Sequence, residues 1–343
     1  MRKLFIAFVI ILLVGCLAVI AQQKETDNDK KKADAATVLT MKPEYTFTVR
    51  LGGPLSKIPL EKLAGLRPPS DKAKDKFKAK GKRIMAAGDL PAAWDWREHG
   101  YTADIRDQGA CGSCWAFSLN TMSEGVAEWK HGNNVDFSEQ YLMDCNEDHY
   151  GCNGGFFDAL DRYVQFGYVD EACRPYLAAD SYCKCECPHD YALEDWWPID
   201  DTMGQPTTEE IKHAIMQYGP VSCAVYVDQF FQYYSGGIFN HNSNKTPNHA
   251  IVLFGWNDDG GYWLLQNSWG TGWGEDGLMR IKYGVCGIGY WTVYCTNIIK
   301  QQRPADNDCE DSCQGMSGTS LCLMGALAFG VFLTGRKDKR RTK

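Results

Sequence analysis

Apolar residues recur at helical spacing in the part of the chain that follows Cys114. Five of them are separated by 4, 3, 4 and 3 residues, which places them on one face of a helix. They are Trp115, Leu119, Met122, Val126 and Trp129. This pattern predicts an amphipathic helix that begins at Cys114 and packs against the body of the protein.

Short runs rich in β-branched and aromatic residues dominate the second half of the chain. The runs cover residues 221–227, 250–254, 262–265 and 278–283. Clusters of Gly, Asn and Asp such as residues 257–261 interrupt them, as turns do in a meander or a barrel. The sequence therefore predicts an α+β fold with a helical N-terminal lobe and a β-barrel-like C-terminal lobe.

Residues 1–21 have a charged start, an apolar centre and small residues at the end, which is typical of a secretory signal peptide. We expect cleavage near Ala21. Residues 13–16 also resemble a bacterial lipoprotein box, so lipidation at Cys16 remains an alternative.

The far end of the chain carries a mostly apolar segment, residues 316–335, followed by a basic tail, residues 336–343. About 20 apolar residues are enough to span a bilayer, and basic flanks tend to stay cytoplasmic. The segment is interpreted either as a membrane tether that leaves the folded body outside, or as a sorting tail that is removed after export. Residues 299–315 would then form a Cys-containing stalk.

Residues 22–88 contain few aromatic residues and two basic runs, residues 30–32 and 71–83. Such runs are normally solvated, so we expect an exposed, flexible propeptide or linker that contains a cleavage region. Only Leu55 to Leu66 has enough apolar residues to pack on the body.

Composition narrows the class of protein. A hydrophobic content of 44% with 13% aromatic residues is sufficient for a packed core, and the net charge of −7 argues against nucleic acid as a partner. Of the 15 cysteines, twelve (15 − 3) remain when Cys16, Cys114 and Cys322 are set aside. An even number is consistent with up to six disulfides in an oxidising compartment, secreted or lysosome-like. A reduced, metal-binding cytosolic protein is the alternative.

Three residues suggest nucleophilic chemistry. Cys114 lies in the run of residues 111–115 (CGSCW), and His249 and Asn267 follow 135 and 153 residues later. A thiol becomes a nucleophile at neutral pH only as a thiolate, which needs an adjacent base and a third group to orient that base. A cysteine at a helix N-terminus also gains from the helix dipole.

These motifs resemble the papain-like cysteine peptidases, and the resemblance runs from Leu90 to about Val293, within a peptidase domain predicted over residues 89–298. It implies a cleft between the two lobes that contains the site. Cys114 would attack the peptide carbonyl, His249 would share its proton as a thiolate–imidazolium pair, and Asn267 would orient the imidazole. Gln108 would donate to the oxyanion together with the Cys114 backbone N–H.

The same resemblance assigns substrate contacts. Gly154 and Gly155 would pair with an extended substrate, since glycine allows close approach of a second backbone. Phe157 and the residue before it would line the pocket for the second residue before the scissile bond. Trp291 near the floor would make that pocket shallow, and Trp269 would shield the His–Asn hydrogen bond.

Two disulfides are implied by the resemblance, Cys111–Cys152 and Cys145–Cys183. The Cys-rich run of residues 183–189 could instead be a zinc knuckle, although an exported protein favours disulfides. The other cysteines have no assigned partner, and we expect neither a metal nor a cofactor.

We expect a monomeric endopeptidase, made as an exported zymogen, that acts on proteins or peptides. Residues 173–176 (CRPY) resemble cathepsin B, whose occluding loop has paired histidines, but here the insertion is short and only His189 is near it. Two other classes stay open: a surface-displayed binding protein with a decayed peptidase fold, and a transglutaminase or acyltransferase that uses the same Cys/His chemistry.

Overall fold

A computed structural model describes residues 41–303 except 82–83, 85–87, 102–103 and 185. The predicted signal peptide, the alternative lipidation site Cys16, and the segments 316–335 and 336–343 lie outside the described residues. Among the described residues, no helix has the length and apolar character needed to cross a membrane.

The α-helices of the described chain are short apart from one in the centre of the first lobe. They are α1 (Leu60–Leu63), α2 (Asp71–Lys80), α3 (Cys114–His131), α4 (Glu139–Cys145), α5 (Asp161–Gln165), α6 (Thr208–Tyr218) and α7 (Gln229–Gln232). Single 3-10 turns cover Pro54–Lys57, Trp96–His99 and Phe157–Leu160.

The strands are concentrated in the second half, as predicted. They are β1 (Thr46–Val49), β2 (Ala93–Asp95), β3 (His189–Leu193), β4 (Trp196–Pro198), β5 (Val221–Val225), β6 (Tyr234–Phe239), β7 (His249–Asn257), β8 (Tyr262–Gln266), β9 (Leu278–Lys282), β10 (Tyr290–Cys295) and β11 (Ile298–Arg303). The main sheet has the order β1-β6-β9-β8-β7-β5-β10-β4, with β2 paired to β7. All its pairs are antiparallel except β6 with β9.

Helix α3 begins at Cys114 as the apolar spacing predicts, but it is buried on every side as far as Ala127 rather than on one face. It lies between β7 of the sheet and the smaller helices of the first lobe. Its buried polar residues are satisfied locally: the Asn120 amide, for example, donates to the Phe137 carbonyl at 2.7 Å. Gly132 ends the helix in the left-handed region, with φ of 64°.

Two hydrophobic clusters correspond to the two lobes. One surrounds α3 to α5, and the other fills the curved sheet around β5 to β9. The α+β prediction with two subdomains is therefore confirmed. The body extends further than predicted, because β11 pairs with β3, so residues 299–303 belong to a two-stranded sheet rather than to a stalk.

The segment before the body is more ordered than its charge suggested. The prediction that Leu55 to Leu66 packs on the body is confirmed by the burial of Leu55, Leu63 and Leu66, and β1 adds an edge strand to the main sheet. The prediction that residues 71–83 are solvated and flexible is wrong for residues 71–80, which form α2. Ala73 and Phe77 are four residues apart on one face of α2, and both are fully buried against the first lobe.

Candidate active site

Cys114 lies at the first turn of α3, where the two lobes meet. Its side chain is buried, and its sulfur accepts a hydrogen bond from the Gly65 backbone N–H at 3.3 Å. The helix that begins at Cys114 packs against β7, which begins at His249, so the candidate thiol and the candidate base belong to elements that meet between the lobes.

His249 is held by Asn267, which directly follows β8. Its Nε2 lies 2.8 Å from Oδ1 of Asn267, and the His249 ring is fully buried. The indole of Trp269 covers this pair, with ring centroids of Trp269 and His249 4.7 Å apart. His249, Asn267 and Trp269 thus lie together in one buried cluster.

Gln108 is buried in the segment that precedes α3. Its Nε2 donates to the Cys111 carbonyl at 2.8 Å and to the Leu63 carbonyl at 3.1 Å. Its Oε1 accepts from the Ser268 hydroxyl at 2.7 Å, which fixes which end of the amide faces the cleft. The donor predicted from sequence therefore points at a peptide carbonyl.

Sequence reasoning missed two residues that position this loop. One is Ser268, which lies inside the recognised Asn267 motif. The other is Tyr176, whose hydroxyl donates to the Gln108 carbonyl at 2.8 Å and lies 2.6 Å from the Ser113 hydroxyl. Tyr176 is the last residue of the CRPY run, which the sequence analysis had noted. Nothing in the sequence showed that its hydroxyl binds the segment that contains Gln108 and Ser113.

The cleft is occupied by the chain itself. The Gly155 N–H donates to the Gly65 carbonyl and the Arg67 N–H donates to the Gly155 carbonyl, both at 3.0 Å. The Leu66 N–H donates to the Asn248 carbonyl on the other lobe, also at 3.0 Å. We call Gly154 and Gly155, which the sequence analysis assigned to substrate binding, the glycine edge. In this structure the glycine edge pairs with residues 65–67 through Gly155.

Glycine is the only residue type that fits at position 65, beside the sulfur. A Cβ built on Gly65 would lie 1.8 Å from the Gly112 carbonyl oxygen, far inside contact distance. The absence of a side chain lets the segment pass directly over the residues that precede Cys114.

Burial shifts the pKa values of the two candidate groups. Loss of solvent raises the pKa of Cys114 to about 11, although backbone N–H groups of Ala250 and Gly65 partly oppose the shift. Burial also lowers the pKa of His249 to about 4, against the hydrogen bond to Asn267. In the closed form both groups are neutral at pH 7, so the thiolate–imidazolium pair expected from sequence is not the state of this closed cleft.

The predicted pocket residues form one aromatic cluster. Phe157 is fully buried, and its ring lies 5.2 Å from that of Phe156. Phe156 in turn meets the edge of Trp291 at 5.3 Å. The Trp291 indole N–H donates to the Met203 carbonyl at 3.0 Å, which holds the indole in place.

The disulfides Cys111–Cys152 and Cys145–Cys183 are both present in the structure. A third, Cys173–Cys187, was not assigned from sequence. The zinc-knuckle interpretation of residues 183–189 is wrong, because Cys183 and Cys187 belong to different disulfides.

The expectation of up to six disulfides was too high for the cysteines that can be placed. Cys223, Cys286 and Cys295 are free, buried thiols. Cys185, Cys309 and Cys313 lie outside the described residues.

Comparison with known proteins identifies the family. The model of the papain family cysteine protease matches residues 90–296, more than half of the chain, so the chain belongs to this family. It is similar to papain from Carica papaya, with 36% identity over 219 residues, which are 60% of this chain and 61% of papain. It is also similar to vignain from Vigna mungo, with 36% identity over 223 residues and 60% of each chain. The chain thus spans about 60% of the length of these relatives.

Solved structures agree with this assignment. Digestive procathepsin L 3 from the larval midgut of Tenebrio molitor aligns with a TM-score of 0.60 and 29% identity, over 79% of this chain and 89% of the other. The bromelain protease from Ananas comosus in complex with the E64 inhibitor aligns with a TM-score of 0.56 and 31% identity, over 61% of this chain and all of the other.

Proposed function

We propose that the protein is a cysteine endopeptidase that hydrolyses peptide bonds with Cys114 as nucleophile and is made as an exported zymogen. One observation carries this proposal. The Gln108 amide donates to the Leu63 carbonyl at 3.1 Å, and the Gly65 N–H two residues later donates to the Cys114 sulfur. The site therefore already holds a peptide carbonyl on the donor that the reaction needs.

The proposed chemistry begins when the segment leaves and water returns to the cleft. The pKa of Cys114 then falls and that of His249 rises, so the proton moves from sulfur to imidazole. The thiolate attacks the carbonyl carbon, and the carbonyl π electrons move to oxygen. The Gln108 amide and the Cys114 backbone N–H stabilise that oxyanion, and one such donor is worth ~2.7–4 kcal/mol.

The intermediate collapses with transfer of the His249 proton to the leaving amine, which forms a thioester on Cys114. His249 then takes a proton from water, whose oxygen attacks the thioester, and the sulfur leaves as a thiolate beside the protonated imidazole. Asn267 keeps the imidazole oriented through both steps, because its Oδ1 accepts from Nε2 and leaves the other ring nitrogen for the proton transfers.

Latency would follow from the contacts of residues 63–67. The Cys114 sulfur accepts an N–H from Gly65, the oxyanion donor is taken by Leu63, and the glycine edge pairs with residues 65–67. Three disulfides among the described residues, together with the leader, support export.

The decisive experiment compares the processed wild type with Cys114→Ala on an unbiased peptide pool, by mass spectrometry of the products. We expect Cys114→Ala to lose nearly all turnover with an unchanged circular dichroism spectrum. Cys223→Ala is the matched control, because it removes another buried free thiol and should retain turnover.

The outcomes separate the competing classes. Cleavage by Cys114→Ala at the wild-type rate would refute the nucleophile. A wild type that binds peptides without cutting them would favour a binding protein, and acyl transfer without new amino termini from casein would favour a transglutaminase. Internal cuts, rather than dipeptides released from an end, would support endopeptidase action.

A further inference from the structure

Helix α2 covers a surface of the first lobe that we call the acidic–aromatic face. It consists of Asp148, Asp158, Asp161, Asp195, Phe156 and Trp196. Helix α2 begins at Asp71, four residues after Arg67, whose N–H donates to the Gly155 carbonyl.

The charges of α2 match this face closely. Lys76 Nζ lies 2.8 Å from Asp161 Oδ2 and 3.4 Å from Asp158 Oδ2. Lys72 Nζ lies 2.7 Å from Asp148 Oδ1. Lysines on one side of a short helix therefore bind carboxylates of the peptidase domain.

The last turn of α2 adds a further charged contact. Lys80 Nζ lies 2.6 Å from Asp195 Oδ1. The same ammonium lies 4.5 Å from the ring centroid of Trp196, within the range of a cation–π contact.

An aromatic side chain anchors the helix between these charges. Phe77 is fully buried, and its ring lies 5.7 Å from Phe156 and 5.4 Å from Trp196. A few fully buried side chains, often aromatic, supply most of the binding energy of a typical interface, and Phe77 has that position here.

Helix α2 supplies the counter-charges of this face within the described residues. Every ion pair that Asp148, Asp158, Asp161 and Asp195 make there is to a lysine of α2. The Asp158 side chain is completely buried in the closed form. Departure of α2 would leave several carboxylates without counter-charges beside exposed aromatic rings, an arrangement that attracts cations and apolar groups together.

We propose that in the processed enzyme the acidic–aromatic face is a docking site for substrate polypeptides that carry a basic segment with an aromatic residue. This inference rests on the proposed function and adds a substrate class to it. We expect the preferred segment to have the spacing of α2, in which Lys72 and Lys76 are four residues apart and Phe77 directly follows Lys76.

Binding can be tested in the full chain, without any activity. Lys76→Ala combined with Phe77→Ala, in a Cys114→Ala background, releases α2 and opens the face. A fluorescent synthetic peptide with the sequence of residues 71–80 is the probe, measured by anisotropy. We expect roughly tenfold tighter binding than to the chain with intact α2, because a buried aromatic anchor and several charge pairs are involved.

Matched changes identify the contacts. Asp148→Asn with Asp161→Asn in the opened chain should weaken peptide binding at least about tenfold. The Asp161→Asn change retains an acceptor for the Trp196 indole N–H, which donates to Asp161 at 2.8 Å. A peptide with the Phe77→Ala change should bind weakly, whereas one with the Lys78→Ala change should bind normally, since Lys78 is exposed. Equal binding to open and closed chains, or no effect of the Asp changes, would overturn the proposal.

Turnover tests the substrate class on the processed wild type, independently of the opened variant. Two substrates share one cleavage sequence and differ in an attached segment, either residues 71–80 or the same segment with Lys→Gln and Phe→Ala changes. We expect kcat/KM to favour the basic substrate by roughly tenfold, and the ratio to fall toward one when Asp148→Asn and Asp161→Asn are combined.

The outcomes keep the two proposals apart. A ratio near one with both substrates cut would overturn the docking site and leave the peptidase intact. If the peptide binds but kcat/KM is the same for the two substrates, the face serves only the chain's own released segment, which also overturns the proposal. Failure to cut either substrate refutes the proposed function, and the anisotropy result then decides the docking site alone.

Discussion

The backbone N–H of Gly65 donates to the sulfur of Cys114 at 3.3 Å, so the chain's own propeptide-like segment contacts the atom that should act as nucleophile. The contact is made by the backbone because Gly65 has no side chain, and the neighbouring Gly112 leaves no room for one. The closed form therefore depends on two glycines from opposite sides of the cleft.

Replacement of Gly65 should open the cleft. In Gly65→Ala the new Cβ would lie 1.8 Å from the Gly112 carbonyl oxygen, so residues 63–67 must move away. A shift of ~1.4 kcal/mol in this equilibrium is a tenfold change in the open population. We expect the unprocessed full chain to gain at least that factor in alkylation rate of Cys114. Gly53→Ala, whose Cβ would meet nothing closer than 3.8 Å, is the control and should behave as wild type.

The alkylation rate of Cys114 should rise at a much higher pH in the closed form than in the open form. With its pKa raised to about 11 in the closed form, the thiolate fraction at pH 7 is about 10⁻⁴, and the rate should rise up to strongly alkaline pH. Once the segment is released, pairing with His249 lowers the pKa, so iodoacetamide should react fast even at pH 5–6. Mass spectrometry of the labelled Cys114 peptide measures both profiles, and identical profiles would refute control by burial.

Loss of the Gln108 amide should slow chemistry more than binding. Gln108→Ala removes the donor that now holds the Leu63 carbonyl, and we expect kcat to fall by about 10²–10³ while Cys114 remains alkylatable. Ser268→Ala removes only the hydroxyl at the other end of the amide and should cost less. A kcat of Gln108→Ala near the wild-type value would mean that oxyanion stabilisation comes from elsewhere.

Glu124 should make the folded protein less stable as pH rises. It is fully buried in α3, and burial raises its pKa to about 8, against the opposing charge of Arg106. The native state therefore holds an extra proton between the ordinary value of 4.5 and about 8, so the stability present below pH 4.5 is lost through that window.

The variant Glu124→Gln tests this sign. Its side-chain carbonyl can still accept from the Phe137 N–H, which now donates to Glu124 at 2.8 Å. Urea unfolding at pH 5 to 8 should show a slope shallower than wild type by up to ~1.4 kcal/mol per pH unit. Glu209→Gln, on the exposed side of α6, should keep the wild-type slope; equal slopes in wild type and Glu124→Gln would contradict the shifted pKa.

Much of the fold could be predicted because its signals are local. The apolar spacing after Cys114 predicts the start of α3, and the β-rich runs predict β5, β7, β8 and β9 with small errors at their ends. The grouping of Cys114, His249 and Asn267 came from the resemblance of their short motifs to those of the papain-like cysteine peptidases.

Helix α2 shows where local signals fail. A run with five lysines appears solvated when only its neighbours in sequence are considered. Its burial depends on Asp158 and Asp161, more than 80 residues away, and on the pocket that receives Phe77. The Cys173–Cys187 disulfide was missed for a similar reason, because several pairings fit one Cys-rich run.

The sequence by itself determined which candidate reactive groups the chain contains, since the identity of a thiol, an imidazole and two amides cannot change with folding. Only the tertiary structure decided their state. Both side chains are buried where residues 65–67 cross the cleft, and because a charged thiolate or imidazolium is costly without water, burial raises the pKa of Cys114 and lowers that of His249.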